Sequence, residues 1–556
     1  MLSRSCVTPL TGLRTDYDAI IKRALNASII LIGDGTHGTQ EFYHERAEIT
    51  KRLIAEAGYS GVVLEADFPS TYRVDRFVNG KVSTTTIPPH SSSSLRIGGG
   101  FLRAHSGWGG GPAPLTSTWT PPPTPSTSSK HLVTDEDEAL DSLHDFEERF
   151  PTWMWANSPF LDFVGWARDY VSSGNGHISI AGADIYSLFT STRAVVDALK
   201  ESNAAEAAKT ASKAYECFDM CGARAADDAQ LYGMQAAQGK ACEAEAVRVA
   251  HMTAAKFRAT LDAVKAKVIA QHQPAGESTS LLAELDSLDT AWAIDENAKV
   301  VESAEGYYRT MFTNRRASSW NARDGAMSTF ISRYRIYLGQ RAALASGRTV
   351  PQGTVGKLVV WMHNSHLGDA RATGMGARGE WNVGQLLRQS FGADVVTVLF
   401  TTATGSVTAA HEWDGPACRQ ELAPPLPTSL ERVFSTVSKS GPHVAVPSSQ
   451  NLTHEPLPRF LVDIKALESA SLTSADARAA LEVLQRKYIT RHVGVIYKKE
   501  TELYSHYTPV KPADCADFYV HVDHTRALEP LARAPLHKKH HMDSTPALEE
   551  TYPTGL

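Results

Sequence analysis

Short apolar runs that end at a glycine or an acidic residue alternate along this chain with amphipathic stretches. Residues 28–32 (Ser-Ile-Ile-Leu-Ile) run into Gly33, and residues 62–66 (Val-Val-Leu-Glu-Ala) run into Asp67. Between them, residues 44–57 carry Ile49, Leu53 and Ile54 at helical spacing, and Gly58 and Gly61 break the pattern. Strand, helix, strand at this interval predicts a βαβ unit and hence a parallel sheet. A third strand is predicted over 177–182, leading to Asp184. Strands over 357–361 and 395–400 flank a helix over 383–389, and two more are predicted over 492–497 and 518–521. An acidic helix is expected over 135–149 and an amphipathic one over 160–171. From 190 to 345 the pattern is almost wholly helical, rich in Ala, Glu and Lys. The fold class predicted is α/β, a mainly parallel sheet core with helices on both faces and a large helical insertion.

Composition divides the chain further. Residues 83–130 are dominated by Ser, Gly, Pro and Thr with almost no charge, and read as a disordered insertion. The α/β core is therefore expected in three pieces, 1–82, 131–189 and 346–534. The helical block 190–345 separates the last two, and a polar tail follows over 535–556. The insertion comes soon after Glu65 but reads as a surface excursion rather than a lid.

Of the 556 residues, 42% are hydrophobic and 21% charged, as in ordinary soluble globular proteins. A formal net charge of -6 provides no basic field, so no nucleic-acid partner is expected. No apolar run is long enough for a transmembrane helix, so no membrane partner is expected. Residues 1–15 lack the apolar core of a secretory signal, which points to a cytoplasmic protein. Six Cys are spread thinly; Cys217 and Cys221, four apart in a helical stretch, read as reduced thiols rather than a zinc or disulfide site. No oligomeric state is indicated.

In an open parallel sheet, ligands bind at the carboxyl ends of the strands. Three predicted strand ends carry titratable residues: Asp34 and His37, Glu65 and Asp67, His363 and His366. Residues three apart on a continuing strand point to opposite faces, so each His-bearing pair converges only if the chain turns. Gly33, Gly35 and Gly38 are expected to make that turn around His37, and Asn364 and Ser365 between the later histidines. A His of near-neutral pKa takes a proton from water. A neighbouring carboxylate fixes its tautomer, and further His or Arg donors stabilise an oxyanion.

There is no G-x-S-x-G elbow and no H-E-x-x-H; residues 44–48 (His-Glu-Arg-Ala-Glu) lack the second His and read as a solvated face. Residues 374–379 match G-x-G-x-x-G but begin about a dozen residues after the strand, where a dinucleotide fingerprint follows directly. They read as a mobile loop bordering the site. Direct attack by an activated water is the simplest chemistry left, with no cofactor. Two alternatives keep the same residues: a metal-dependent hydrolase using the His/Asp/Glu cluster for zinc, manganese or iron, or a non-catalytic module holding haem or another small ligand.

At these residues the chain resembles the erythromycin esterase family. The matching segments are 31–39 (Leu-Ile-Gly-Asp-Gly-Thr-His-Gly-Thr), 63–67 (Val-Leu-Glu-Ala-Asp), 321–324 (Asn-Ala-Arg-Asp) before Met327, and 360–369 (Val-Trp-Met-His-Asn-Ser-His-Leu-Gly-Asp). Shorter matches fall at 150–155, 182–188, 382–386 and 505–507. The resemblance covers nearly the whole chain except 83–130 and the tail. It implies an α/β fold with helical insertions around a deep cleft and hydrolysis of a small-molecule ester or lactone; antibiotic-inactivating members open a macrolide ring. It implies His37 as general base, Glu65 orienting or charge-balancing it, and His363, His366 and Arg323 binding substrate or the developing oxyanion. Asn364, Asp369, Asp184 and His506 are further candidates on the substrate side, Asp184 also as a cap of the following helix. Asp34 departs from the Glu of many members and is one methylene shorter. Nothing marks a macrolide pocket, since Trp153, Trp155, Trp320 and Trp361 read equally as core.

Overall fold

The computed structural model describes residues 2–81, 139–147, 150–219, 229–270, 278–312, 316–348, 350–351, 353–439 and 458–531. Among these, the strands are β1 (Thr8–Pro9), β2 (Ile29–Asp34), β3 (Gly61–Asp67), β4 (Ser179–Asp184), β5 (Leu358–His363), β6 (Val395–Ala409), β7 (Cys418–Glu421), β8 (Arg459–Asp463), β9 (Tyr488–Arg491), β10 (Tyr507–Val510) and β11 (Phe518–Thr525). The main sheet has the order β1-β8-β11-β6-β2-β5-β3-β4, with β7 on the far end of β6. The run from β11 to β4 is parallel. Antiparallel β8, β1 and β7 make the sheet mixed.

The apolar runs are continuous because both sheet faces are buried. Ile29, Leu31, Val63 and Val360 enter one core. Ile30, Ile32, Val62 and Trp361 enter the other. On the first face lie side chains of the helices Glu243–Ala270, Ser278–Met311 and Arg316–Ala345, among them Val264, Trp292 and Phe330. On the second lie Phe42 and Ile49 of Gln40–Ala57 and Phe160 and Phe163 of Ser158–Ser172. Trp153 and Trp361 are core residues. The helical stretch has a third cluster of its own, including Leu188, Val195, Val249 and Val301. The helix Ser278–Met311 contributes to both this cluster and the sheet core, tying the two together.

Several expectations need correction. Residues 492–497 are not a strand: β9 stops at Arg491, and Val493 and Ile496 make only isolated bridges, to Thr36 and Ala410. Gly494 interrupts the run, and the segment crosses the strand ends instead of joining an edge. β1, β7, β8 and β10 escape sequence reading because they are only two to five residues long. Residues 44–48 are not a solvated face, because Glu45 and Arg46 are buried. Cys217 is not a free thiol but is bonded to Cys242, which removes the cysteine argument for a reducing compartment. No helix of the described residues is long and apolar enough to cross a membrane. The insertion 83–130, the tail 535–556 and Cys221 lie outside the described residues, as do both ends of the acidic helix expected over 135–149.

Candidate functional site

The carboxyl ends of β2, β3, β4 and β5 share one edge of the sheet, and the titratable residues gather there. After Asp34 the chain turns over the neighbouring strands. The His37 N–H donates to the Val493 carbonyl (3.0 Å), and the Val493 N–H to the Gly35 carbonyl (2.9 Å). The glycines serve close approach rather than positive φ. A Cβ on Gly35 would lie 2.8 Å from the Phe400 carbonyl oxygen, and one on Gly38 would run into the Thr408 backbone. In β3 the register against β4 shifts between Leu64 and Asp67, a bulge that re-aims Glu65. His363 and His366 converge because β5 passes straight into the short helix Asn364–Leu367, capped by the His363 side chain. One helical turn, not a loose turn at Asn364 and Ser365, brings them to one side.

His37 Nδ1 lies 3.2 Å from Asp34 Oδ1, an ion-pair contact that falls short of a hydrogen bond. Its Nε2 is 3.9 Å from Glu65 Oε1. The shorter Asp34 carboxylate therefore reaches His37. Its second oxygen accepts from Arg46 Nη1 at 2.6 Å. Arg46 is buried, with its guanidinium 4.4 Å from the centre of the Tyr43 ring and 5.2 Å from that of Trp361. Burial pushes the Asp34 carboxyl up, but Arg46 and then His37 outweigh it and hold Asp34 below the usual carboxylate range.

Glu65 is the hub. Its Oε2 accepts from the His363 backbone N–H (2.8 Å) and its Oε1 from Arg323 Nη2 (3.0 Å). His366 Nε2 is 3.2 Å from the same Oε1. Burial again opposes ionisation, yet His366, His37 and Arg323 together hold Glu65 well below the carboxylate range. Arg323 comes from the helical stretch and forks onto Asp184, with Nε to Oδ1 at 2.9 Å and Nη2 to Oδ2 at 2.8 Å. Asp184 is thus Arg323's partner, and Ser187, not Asp184, is the N-cap of Leu188–Glu201.

The histidines differ in character. His363 Nδ1 accepts from the Ser365 backbone N–H (3.2 Å), which leaves the ring proton on Nε2, a buried atom with no partner. Burial, then His37 and His492 beside it, hold His363 well below the usual imidazole range. His366 Nδ1 pairs with both oxygens of Asp324 (2.9 and 3.0 Å). Burial works against its charge, but Asp324 and Glu65 prevail and lift it to about 9. Arg323 Nη1, 3.1 Å from Nε2, opposes that.

These groups floor a cleft of about 900 Å³, its open mouth included. Its lining includes His37, Glu65, Asp67, Asp184, Arg323, His363 and His366, with Phe146, Phe150, Trp155, Tyr186, Trp320 and Trp413 as aromatic walls. Four candidates lie outside the lining, Asp34 directly behind His37 and three others. Asn364 is buried behind it, its amide donating to the Phe400 carbonyl. Asp369 caps the helical turn Ala370–Ala372 and pairs with Arg371. His506 accepts from the Lys498 N–H and, through its carbonyl, from the His492 N–H, so it shapes the 492–498 segment. Residues 374–379, expected as a mobile loop bordering the site, include a helical turn tied through the Gly379 carbonyl to Asn321 and contribute no residue to the cleft lining. Sequence reading missed Arg46, Asp324, Ser365 and His492.

Among the described residues, no three His, Cys, Asp or Glu side chains are placed to hold a metal ion.

Neutral buried histidines make stability depend on pH. Burial pushes His492 and His506 down to about 4. Unfolded imidazoles gain a proton below about pH 6.5, so the contribution of these two is full above that pH and lost as pH falls towards 4. The slope is at most about 1.4 kcal/mol per pH unit for each. His366 has the opposite sign, contributing fully below about 6.5 and losing that contribution as pH rises through about 9. Urea unfolding midpoints are expected to peak near about pH 6.5, where both contributions are close to full. A midpoint unchanged from pH 7 to pH 5 would contradict this assignment.

The family model described as erythromycin esterase matches residues 117–525. That range holds Asp184, Arg323, Asp324, His363 and His366, whereas Asp34, His37, Arg46 and Glu65 precede it. Among solved structures, a Bacillus cereus protein aligns with a TM-score of 0.58 at 14% identity, over 95% of this chain and 97% of that one. A succinoglycan biosynthesis protein aligns at 0.57 and 14%, over 95% and 96%. An erythromycin esterase mutant in its open conformation aligns at 0.49 and 12%, over 93% and 97%. At such identities, the first two likenesses speak to the fold.

Proposed function

The chain belongs to the erythromycin esterase family, and on that footing we propose that it hydrolyses an ester or lactone by direct attack of a water activated by His37. The observation that carries this reading is the placement of His37, with Nδ1 at Asp34 and Nε2 beside Glu65 in the cleft. Asp34, kept ionised by Arg46, faces Nδ1 at 3.2 Å, so its charge favours the ring proton on that nitrogen and leaves the Nε2 lone pair for water. A water in the angle between Nε2 and Glu65 Oε1 is within reach of both. Glu65 orients that water and balances the imidazolium; its depressed pKa and its bonds to His363 and Arg323 make it a poor base.

As the water oxygen bonds to the carbonyl carbon, His37 takes its proton. The carbonyl oxygen becomes an oxyanion, for which the unpartnered His363 Nε2–H is the donor at hand. Collapse expels the alkoxide, which leaves with the proton from His37. The aromatic walls exclude water from the rest of the substrate.

The test is a screen of the purified protein against a panel of esters and lactones, with metal chelators added to every hit. Turnover that survives chelation is expected. Turnover lost on chelation and restored by zinc or manganese would replace this mechanism with a metal-dependent one.

A further inference from the structure

We infer that Trp320 is a positioning residue that locks the ring plane of His366. The helix Arg316–Ala345 presents Trp320, Arg323 and Asp324 at positions i, i+3 and i+4, a single face turned towards the site. Asp324 grips His366 by one edge, at Nδ1. Glu65 and Arg323 hold the other edge, at Nε2, and a rocking of the ring out of its own plane is what contacts at the two nitrogens resist least. Trp320 blocks it: its ring lies flat on the imidazole, with centroids 4.6 Å apart and planes 5° apart. At this separation the parallel rings are offset, one of the arrangements that aromatic pairs prefer.

Trp320 is itself held from outside. Its Nε1–H donates to the Trp381 carbonyl (2.8 Å). The Trp381 N–H donates to Asn321 Oδ1 (2.9 Å) and its indole N–H to the Asn321 carbonyl (3.2 Å). The Asn321 amide donates to the Gly379 carbonyl (3.0 Å). Trp381 is 41% exposed, so this clasp buries little apolar surface of its own. Its four hydrogen bonds converge on the backing of one indole, and that indole touches His366.

The inference deepens the reading of this cleft as a hydrolase site, yet its test needs no substrate, so the two fail separately. In the full chain labelled with ¹⁵N-histidine, the imidazole N–H resonance of His366 is assigned by its loss in His366→Gln. A protected resonance is expected in the unmutated protein. It is expected to persist in Trp320→Phe, which keeps an aromatic face, and to be lost to solvent exchange in Trp320→Leu with circular dichroism unchanged. If the Leu variant does not fold, Asn321→Ala, which removes two of the four clasp hydrogen bonds while keeping the indole, is expected to weaken the resonance. A resonance absent from the unmutated protein, or unaltered in whichever of these two variants is read, overturns the inference and leaves Trp320 as a packing wall.

Discussion

His37→Ala is expected to lower kcat on any ester or lactone the protein turns over by about 10³-fold or more, the range of a lost general base, while the unfolding midpoint stays near that of the unmutated chain. The second half follows from the geometry. His37 makes no side-chain hydrogen bond, and its Asp34 contact is an ion-pair distance only. Asp34 keeps its stronger partner, Arg46 at 2.6 Å, so no carboxylate is left alone in the interior. The truncated side chain opens a hole on the cleft floor beside Glu65. Imidazole supplied in the buffer is therefore expected to restore part of the lost rate. Unchanged turnover in the variant would remove His37 from the chemistry, and lost turnover with a lost fold would show a structural role instead.

Arg323→Met is expected to act on both stability and rate. Arg323 is buried and is the shared cation of Asp184 and Glu65, with Tyr186 packed on its guanidinium at 4.8 Å. Methionine fills much of the volume but leaves two buried carboxylates facing one another. Breaking a buried pair from one side costs about 3–5 kcal/mol. Urea denaturation is expected to show a loss of that order. Arg323→Lys restores a charge without the planar fork and is expected to recover only part. Combining Arg323→Met with Asp184→Leu removes one stranded charge, and the double variant is expected to be more stable than Arg323→Met alone while remaining inactive. Additive losses in that cycle would mean that the two side chains do not act as a pair.

These outcomes bear on what a sequence reader can see. The strand ends were legible because parallel strands buried on both faces are written as continuous apolar runs, and a charged residue at the end of such a run has few reasons to be there. Asp34, His37, Glu65, His363 and His366 meet that description, and the structure brings all five together. Arg46 and Asp324 were not legible, because a charge on an amphipathic helix looks solvated until its partner is known. Arg46 is recognisable only once the helix Gln40–Ala57 lies across β2, which returns it to Asp34 twelve residues upstream. Asn364 and Asp369 entered with the matching segment 360–369. Membership of a segment does not set direction, and once β5 enters a helical turn their side chains leave the cleft. The mixed character of the sheet was hidden for a different reason: strands of two to five residues carry too few buried positions to register as a pattern.

The strand order has a consequence for how the chain comes into being. β2 is among the first segments made, yet in the finished sheet it lies between β5 and β6. Its neighbours are therefore not synthesised until the ribosome has passed residue 358. At ordinary elongation rates, this interval lasts about 15–65 seconds. Throughout it, a fully apolar ribbon, Ile29 to Ile32, has no sheet to join. The nascent protein would present an open edge to every other chain nearby, and its yield in a cell would then be set by whatever shields that ribbon in the meantime.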